Sequence, residues 1–380
     1  MRLTILCLAL VVVAICFSPL QAAEPAGRSA EVMARGDARW MSAQINEPCI
    51  LPNPKMPDRL IMFYSANNKY EHAVGTIGKA WANVDNPFRW HQDFSNPIFT
   101  PGKGGWDSGT LRIDCVLYIP EEDAYYIYYS ATQGECQDHI GLAICPAGDD
   151  GYTGVTPQNI VRYGTAPILA PEPDAPFFET YVHQSAVIRE QDPTTKKWKW
   201  YLYYSYRGKD GILPGIRLAT SDDGKTWTRR LNPNDPRGMG QIFASTPEAY
   251  YEWHQVLKVG DTYLLSIEVG VEHGKRWRPV LAVSKDPVTG WQQLDVDTGL
   301  QTKWSAYDER SHFHVATPAF YQIAGKWYLY VQACSAPTSG NYTDGGWDFW
   351  CFECPRKIPT LPGHADFFLP DTPAASQAIK

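Results

Sequence analysis

The sequence predicts an all-β protein, a five-bladed β-propeller with four antiparallel strands per blade. Three observations carry that expectation. A two-strand unit recurs five times. A further strand-turn-strand piece follows three of the copies. No long segment shows the 3.6-residue period of an amphipathic helix.

The unit is clearest in YEWHQVLKVGDTYLLSIE, Tyr251–Glu268. It alternates as a strand, turns at Gly260-Asp261 and returns as a second strand. Segments starting at Glu47, Arg112, His183 and His314 fall into the same register. Each holds an apolar pair, a polar turn, and a second strand rich in Tyr and Leu. The pairs begin at Ile50, Val116, Val187, Val256 and Ala319, in steps of 66, 71, 69 and 63 residues. The piece that follows reads IGLAICPAGDDGYTG at Ile140–Gly154, IRLATSDDGKTWTRR at Ile216–Arg230 and VLAVSKDPVTGWQQL at Val280–Leu294. These are expected third and fourth strands. Four short strands repeated five times is the signature of radial repetition.

The chain opens as a secretory signal. Arg2 precedes an apolar run from Leu3 to Phe17 and small residues up to Ala22. That run is too short for a comfortable membrane span. Residues 1–22 are expected to be removed, leaving 23–380 as a single propeller domain, secreted or periplasmic. Glu24–Arg39 is expected as an extended lead-in and Leu361–Lys380 as a closing tail.

The net charge of −7 argues against a nucleic-acid partner. No membrane partner is expected, and the protein is expected to be a monomer. Cys351-Phe-Glu-Cys354 has a metal-like spacing, but no second such pair completes a zinc site. The expectation is therefore no metal and no cofactor, with a structural calcium in the channel left open. Cys49 and Cys115 each stand one residue before an apolar pair and are expected to be neighbours, with a disulfide between them left open. Aromatic residues make up 13% of the chain, which suits strands and sugar platforms alike.

In a propeller the innermost strand of each blade lines a central channel. Alternate residues of a strand share a face, so positions counted back from each apolar pair predict what faces that channel. Four positions back lie Asn46, Arg112, His183, Glu252 and Val315. Two back lie Pro48, Asp114, Ser185, His254 and Thr317. Polar side chains thus stand where a core strand would be apolar, and Glu252 and His254 are expected side by side. Any one of them is as readily a solvated rim residue. Converging acids and bases are what acid–base chemistry needs. Trp106, Asp107, Glu179, Glu248 and His314 flank the inner strands as candidate sugar contacts, with rim solvation equally open. SDDGKTWT, Ser221–Thr228, matches an Asp-box turn of sialidases, read here as a structural hairpin.

On these residues the chain resembles the five-bladed propeller glycosidases, glycoside hydrolase family 43 and its relatives in family 32. The family opens its first inner strand with Asp-Pro, which supplies the base; Glu47-Pro48 stands there. The family's second strand carries an orienting aspartate; Arg112-Ile-Asp114-Cys115 stands there. The family acid lies in Glu-Gly-Pro; Glu252-Trp253-His254 keeps the Glu, but in the fourth repeat, whereas the family has it in the third. The resemblance implies an exo-acting, inverting hydrolase of plant or algal oligosaccharides. Glu252 would be the acid, and Asp114 or Glu47 the base. Arg112, His183, His254, Asp107, Trp106 and His314 would contact substrate. A non-catalytic carbohydrate-binding propeller, or a sialidase-like enzyme, is the alternative.

Overall fold

A computed structural model describes residues 28–34, 36, 39–68, 75–132, 138–174, 176–209, 213–231, 240–271, 276–296, 313–335, 346–358 and 361–370. The expected signal segment lies outside them.

The chain folds as five antiparallel blades around a channel. Strand β1 is Ser29–Met33. Blade 1 is β2 Gln44–Pro52, β3 Arg59–Asn67, β4 Gly75–Asn83 and β5 His91–Gln92. Blade 2 is β6 Leu111–Ile119, β7 Ala124–Thr132, β8 Asp138–Pro146 and β9 Val161–Arg162. Blade 3 is β10 Glu179–Gln191, β11 Trp198–Gly208, β12 Gly215–Ser221 and β13 Thr228–Arg229, with β14 Gln241–Ala244 also on β12. Blade 4 is β15 Ala249–Val259, β16 Thr262–Val271, β17 Arg276–Ser284 and β18 Gln292–Gln293. Blade 5 is β19 Phe313–Ile323, β20 Lys326–Ser335 and β21 Gly346–Glu353. A hairpin, β22 Arg356–Ile358 and β23 Phe367–Leu369, follows.

The fourth strand of blade 5 comes from the other end of the chain. β1 pairs antiparallel with β21, setting Ala30 opposite Cys351. The expected lead-in is therefore partly a blade strand that closes the ring. The expected tail is also partly structural, because Phe367 and Leu369 are buried against Trp327 and Leu329 of blade 5. The fourth strand of blade 2 starts at Val161, later than the repeat pattern suggested, because a loop around Asp150 intervenes.

Second strands explain the composition. Alternate side chains of β3 enter different interfaces. Ile61 and Phe63 pack against Ile113 and Tyr129 of blade 2, whereas Met62 and Tyr64 pack against Tyr330 and Phe349 of blade 5. A strand buried on both faces has no polar alternation to show. Its tyrosines also reach the next blade. Tyr128 donates to Gly224 O at 2.8 Å, Tyr203 to Pro287 O at 2.6 Å and Tyr330 to Pro87 O at 2.6 Å. Two of these acceptors lie in the turns after third strands that Asp223 and Asp286 fold by accepting backbone N–H groups. The turn at Ser221–Thr228 is thus structural and lies at the periphery of blade 3.

Candidate active site

Every inner strand carries one extra residue at the same level. Against its neighbour, the register slips between Asn46 and Cys49, Ile113 and Cys115, His183 and Ala186, Glu252 and His254, and Ala316 and Ala319. These are β-bulges, and they reset which face each following side chain takes. Three of them hold a non-glycine residue in the left-handed region, with φ of 58° at Glu47, 54° at Gln184 and 51° at Thr317. Such conformations cost about 1–3 kcal/mol each and persist where surroundings enforce them.

The enforcing contacts come from the second strand of the preceding blade. Ser65 Oγ accepts from Ile113 N at 2.7 Å, Ser130 Oγ accepts from Gln184 N at 2.8 Å, and Glu268 Oε2 accepts from Thr317 N at 2.9 Å. Between blades 5 and 1, Gln332 Nε2 donates to Asn46 Oδ1 at 2.6 Å. Ser65, Glu268 and Gln332 each pair, in register, with the residue just before their own blade's bulge, and Ser130 pairs with Arg112, one residue further back.

The bulges correct the facing pattern expected from the sequence. Glu252 and His254 straddle the extra residue, so they are not adjacent on one face; in blade 2 the extra residue is Asp114 itself. In the fifth blade the equivalent of Glu252 is Ala316, which pairs with Gln332, and not Val315. The channel encloses a cavity of about 310 Å³, walled mostly by the apolar pairs, with Glu47, Asp114, Gln184, His254 and Thr317 at its polar end. Arg112, His183 and Glu252 lie outside that cavity, at the end where the inner strands begin.

Three candidate carboxylates meet there, from blades 1, 2 and 4. Glu47 is buried, and Ser65 donates to its Oε2, while its Oε1 has no partner among the described residues. Burial pushes its pKa to about 8, against a lowering by Arg112. Asp114 accepts from Ser130 Oγ at 2.8 Å on both oxygens, and from Ser185 N and Oγ at 2.8 Å on Oδ2. Burial raises it to about 6 and those donors hold it down. Glu252 is raised by burial and lowered by Arg207, whose Nη2 lies 3.4 Å from its Oε1. Arg112 and Asp138 act on both Glu47 and Glu252, which places all four in one electrostatic group.

Two imidazoles stay neutral. His183 is held well below the usual range by burial and by Arg112, with Asp138 3.5 Å from its Nδ1. Burial pushes His254 down to about 4, with Ser205 Oγ at 3.5 Å. Arg112 and Arg207 remain partly exposed and can meet a ligand. Arg207 lies over the Tyr181 ring at 4.9 Å.

The structure does not bring Asp107 and Trp106 into this group. Asp107 is buried and bound by Arg162 Nε of β9 and by the Tyr129 hydroxyl at 3.2 Å, and Trp106 stacks on Tyr129. Glu179 does the equivalent in blade 3, accepting from Tyr204 at 2.9 Å, Arg217 at 2.6 Å and Arg229 at 2.7 Å. Both acids clasp the lead into an inner strand to the blade's outer strands. His314 lies on β19 opposite Cys334, with its side chain outside the described residues. Cys49 and Cys115 are neighbours as expected, in thiol-to-thiol contact and both free. Val116 N donates to Cys49 Sγ at 3.2 Å. Among the described residues no three His, Cys, Asp or Glu gather as a metal site would need.

Sequence reasoning missed Asp138, Arg207 and Glu268. Each sits on a second or third strand, where counting along inner strands cannot reach. The recurring Ser of FYSA, YYSA and YYSY was the available signal, since register places Glu268 at the same level in blade 4.

The sequence matches no family model and no curated protein. Solved structures share the fold. A glycosyl hydrolase from Bacteroides ovatus aligns over 91% of this chain and 97% of its own, with TM-score 0.58 and 16% identity. A family-43 β-xylosidase/α-arabinofuranosidase from a compost microbial metagenome, solved with xylotriose, aligns over 90% of this chain and 98% of its own, with TM-score 0.54 and 14% identity. An α-L-arabinofuranosidase from Podospora anserina, solved with cellotriose, aligns over 86% of this chain and 96% of its own, with TM-score 0.56 and 11% identity. The chain is similar in fold to these proteins, and its fold is the five-bladed propeller on which such glycoside hydrolases are built.

Proposed function

We propose that this protein is a secreted glycoside hydrolase that removes terminal sugars from plant or algal oligosaccharides with inversion. The observation that carries the reading is the meeting of Glu47, Asp114 and Glu252, from three blades, in one group with Arg112 and Arg207.

The environments divide the roles. Glu47, raised to about 8 with one oxygen free, is protonated at neutral pH and suits the general acid. Glu252, with Arg207 beside it, is the carboxylate better able to stay ionised and activate water. This reverses the roles that the sequence pattern suggests. Asp114, engaged by serine donors, positions the wall between blades 2 and 3. Blades 1 and 4 are two steps apart in a ring of five, which favours the wider carboxyl separation of roughly 6.5–9.5 Å used in inversion. A funnel walled by five strands takes a sugar chain by its end, which supports exo action. Arg112, Arg207 and His183 are the candidate contacts for sugar hydroxyls.

One observation favours a non-catalytic carbohydrate-binding propeller. Blade 3, which supplies the acid in family 43, carries His183 and Gln184 at that level. A screen of plant and algal oligosaccharides, with product anomers followed by NMR, decides between them. Release of an inverted terminal sugar, lost in Glu47→Gln and Glu252→Gln, is expected. Saturable binding without products would replace the hydrolase with the binding protein.

A further inference from the structure

Just beyond the bulges the inner strands are pinned to one another by side chains, and two of the pins are sulfur. The residues before the five apolar pairs are Cys49, Cys115, Ala186, Gln255 and Pro318. Between blades 4 and 5, Gln255 bonds both backbone groups of Phe320, accepting from its N at 2.7 Å and donating to its O at 3.1 Å. Between blades 5 and 1, the Tyr321 hydroxyl accepts from Ile50 N at 3.0 Å and donates to Pro48 O at 2.9 Å. Between blades 1 and 2, Cys49 Sγ accepts from Val116 N at 3.2 Å, and between blades 2 and 3, Cys115 Sγ donates to Val187 O at 3.6 Å. A thiol is a weak donor and a weak acceptor, so hydrogen bonds hold these two seams less firmly than the other two. Val116 N belongs to the peptide that follows Cys115. Its bond therefore brings the Cys49 sulfur against the Cys115 backbone, and the two thiols touch.

We infer that Cys49 and Cys115 form a two-electron redox site in the channel, where a peroxide oxidises them to a disulfide that joins the inner strands of blades 1 and 2. The inference does not depend on hydrolase activity. Both thiols are half-buried and line the 310 Å³ cavity, so a small oxidant in that cavity meets both. Other cysteines are placed differently. Cys145 is buried among Ile61, Phe63 and Tyr125, Cys351 among Met33 and Tyr330, and Cys354 among Ile358 and Phe367. Cys351 and Cys354 thus enter different interfaces, and their close spacing does not make a pair. The Cys49 thiol donates to Cys115, which holds Cys115 below the ordinary thiol range, while the same contact and burial push Cys49 up. Cys115 is therefore the attacking sulfur and Cys49 the resolving one. The Cys115 thiolate attacks one peroxide oxygen, the O–O bond breaks, and hydroxide leaves and takes up the thiol proton as water. The Cys49 sulfur then attacks the Cys115 sulfenic acid. The S–O bond breaks, the S–S bond forms, and the oxygen departs with the Cys49 proton as a second water. Two thiols are oxidised and one peroxide is reduced to two waters. The new bond ties the bulge that holds Glu47, two residues before Cys49, to Asp114, the bulge residue directly before Cys115.

The test starts from the folded full-length protein, reduced with dithiothreitol that is then removed. The protein is treated with hydrogen peroxide, quenched with catalase, unfolded and alkylated with iodoacetamide, and its cysteines are mapped by mass spectrometry. A peptide linked through Cys49 and Cys115 is expected, with the loss of both thiols from alkylation and their return on reduction. Cys49→Ser keeps an oxygen to accept from Val116 N but removes the resolving sulfur, so peroxide should leave a sulfenic acid on Cys115 that dimedone labels. Cys49→Ala reads the same step should the Ser variant fold poorly. Both thiols still alkylated after peroxide, a link from either to another cysteine, or a link that forms only in urea would overturn the inference. So would a Cys115 sulfenic acid that persists beside an intact Cys49 thiol. No substrate enters these measurements, so they read the thiol pair whether or not hydrolysis is found.

Discussion

Glu252 faces Glu268 across two neighbouring strands of blade 4, both are buried, and the guanidinium of Arg207 reaches Glu252 from blade 3 at 3.4 Å. The glutamate that the sequence offers as the general acid thus stands in a group that inner-strand counting does not reach. Its charge is set by residues on other strands and in another blade.

The leaving group should separate the two working glutamates. Glu47→Gln cannot donate a proton, so hydrolysis of a substrate with a poor leaving group should fall by roughly 10²–10⁴-fold, while an activated aryl glycoside suffers much less. Glu252→Gln should slow both substrates alike. The opposite pattern would return the acid to Glu252. Comparing kcat on the two substrates in each variant decides this.

Stability should pass through a maximum in mildly acidic solution. Glu47 and Glu268 are raised from 4.5 to about 8, so their contribution is fully present below 4.5 and is lost as pH rises through 8. His254 is lowered from 6.5 to about 4, so its contribution is present above 6.5 and is lost as pH falls through 4. Tm should therefore be highest between about 4.5 and 6.5 and fall on both sides. Glu268→Gln should flatten the alkaline fall. A Tm that keeps rising towards pH 9 would show that these carboxyls ionise freely in the folded chain.

Removing Ser29–Met33 should open the ring. β21 would be left as a bare edge, which invites pairing with other chains. A lowered Tm and concentration-dependent association in light scattering are expected. An unchanged melting curve would mean that blade 5 closes without this strand.

The tyrosine hydroxyls that cross between blades should act independently. Tyr128→Phe and Tyr203→Phe each leave a carbonyl without its donor, at a cost of about 1–3 kcal/mol. They serve different interfaces, so the double variant should show the sum in denaturant unfolding. Losses below a few tenths of a kcal/mol would show that packing alone holds the interfaces.

The blade count and the inner strands were legible in the sequence. Strand alternation and turn residues are local, and each apolar pair that lines the channel recurs in order along the chain. Tyr and Leu in the second strands could be read as core for the same reason, since a strand buried on both faces is apolar throughout. The polar level ahead of the apolar pairs was legible too, as was the nearness of Cys49 to Cys115.

Which polar residues meet was decided only in three dimensions. The extra residue at each bulge turns the following side chains, so a strict two-residue count paired Glu252 with His254, and the structure pairs it with Glu268. Asp107 looked equivalent to the funnel residues, yet Arg162, more than fifty positions further on, draws it to the outer strands. β1 closes the ring against a strand from the opposite end of the chain. A repeat specifies each blade from within. Contacts between blades join residues far apart in the chain, and their identity depends on the rotation of each blade about the common axis, which no local pattern records.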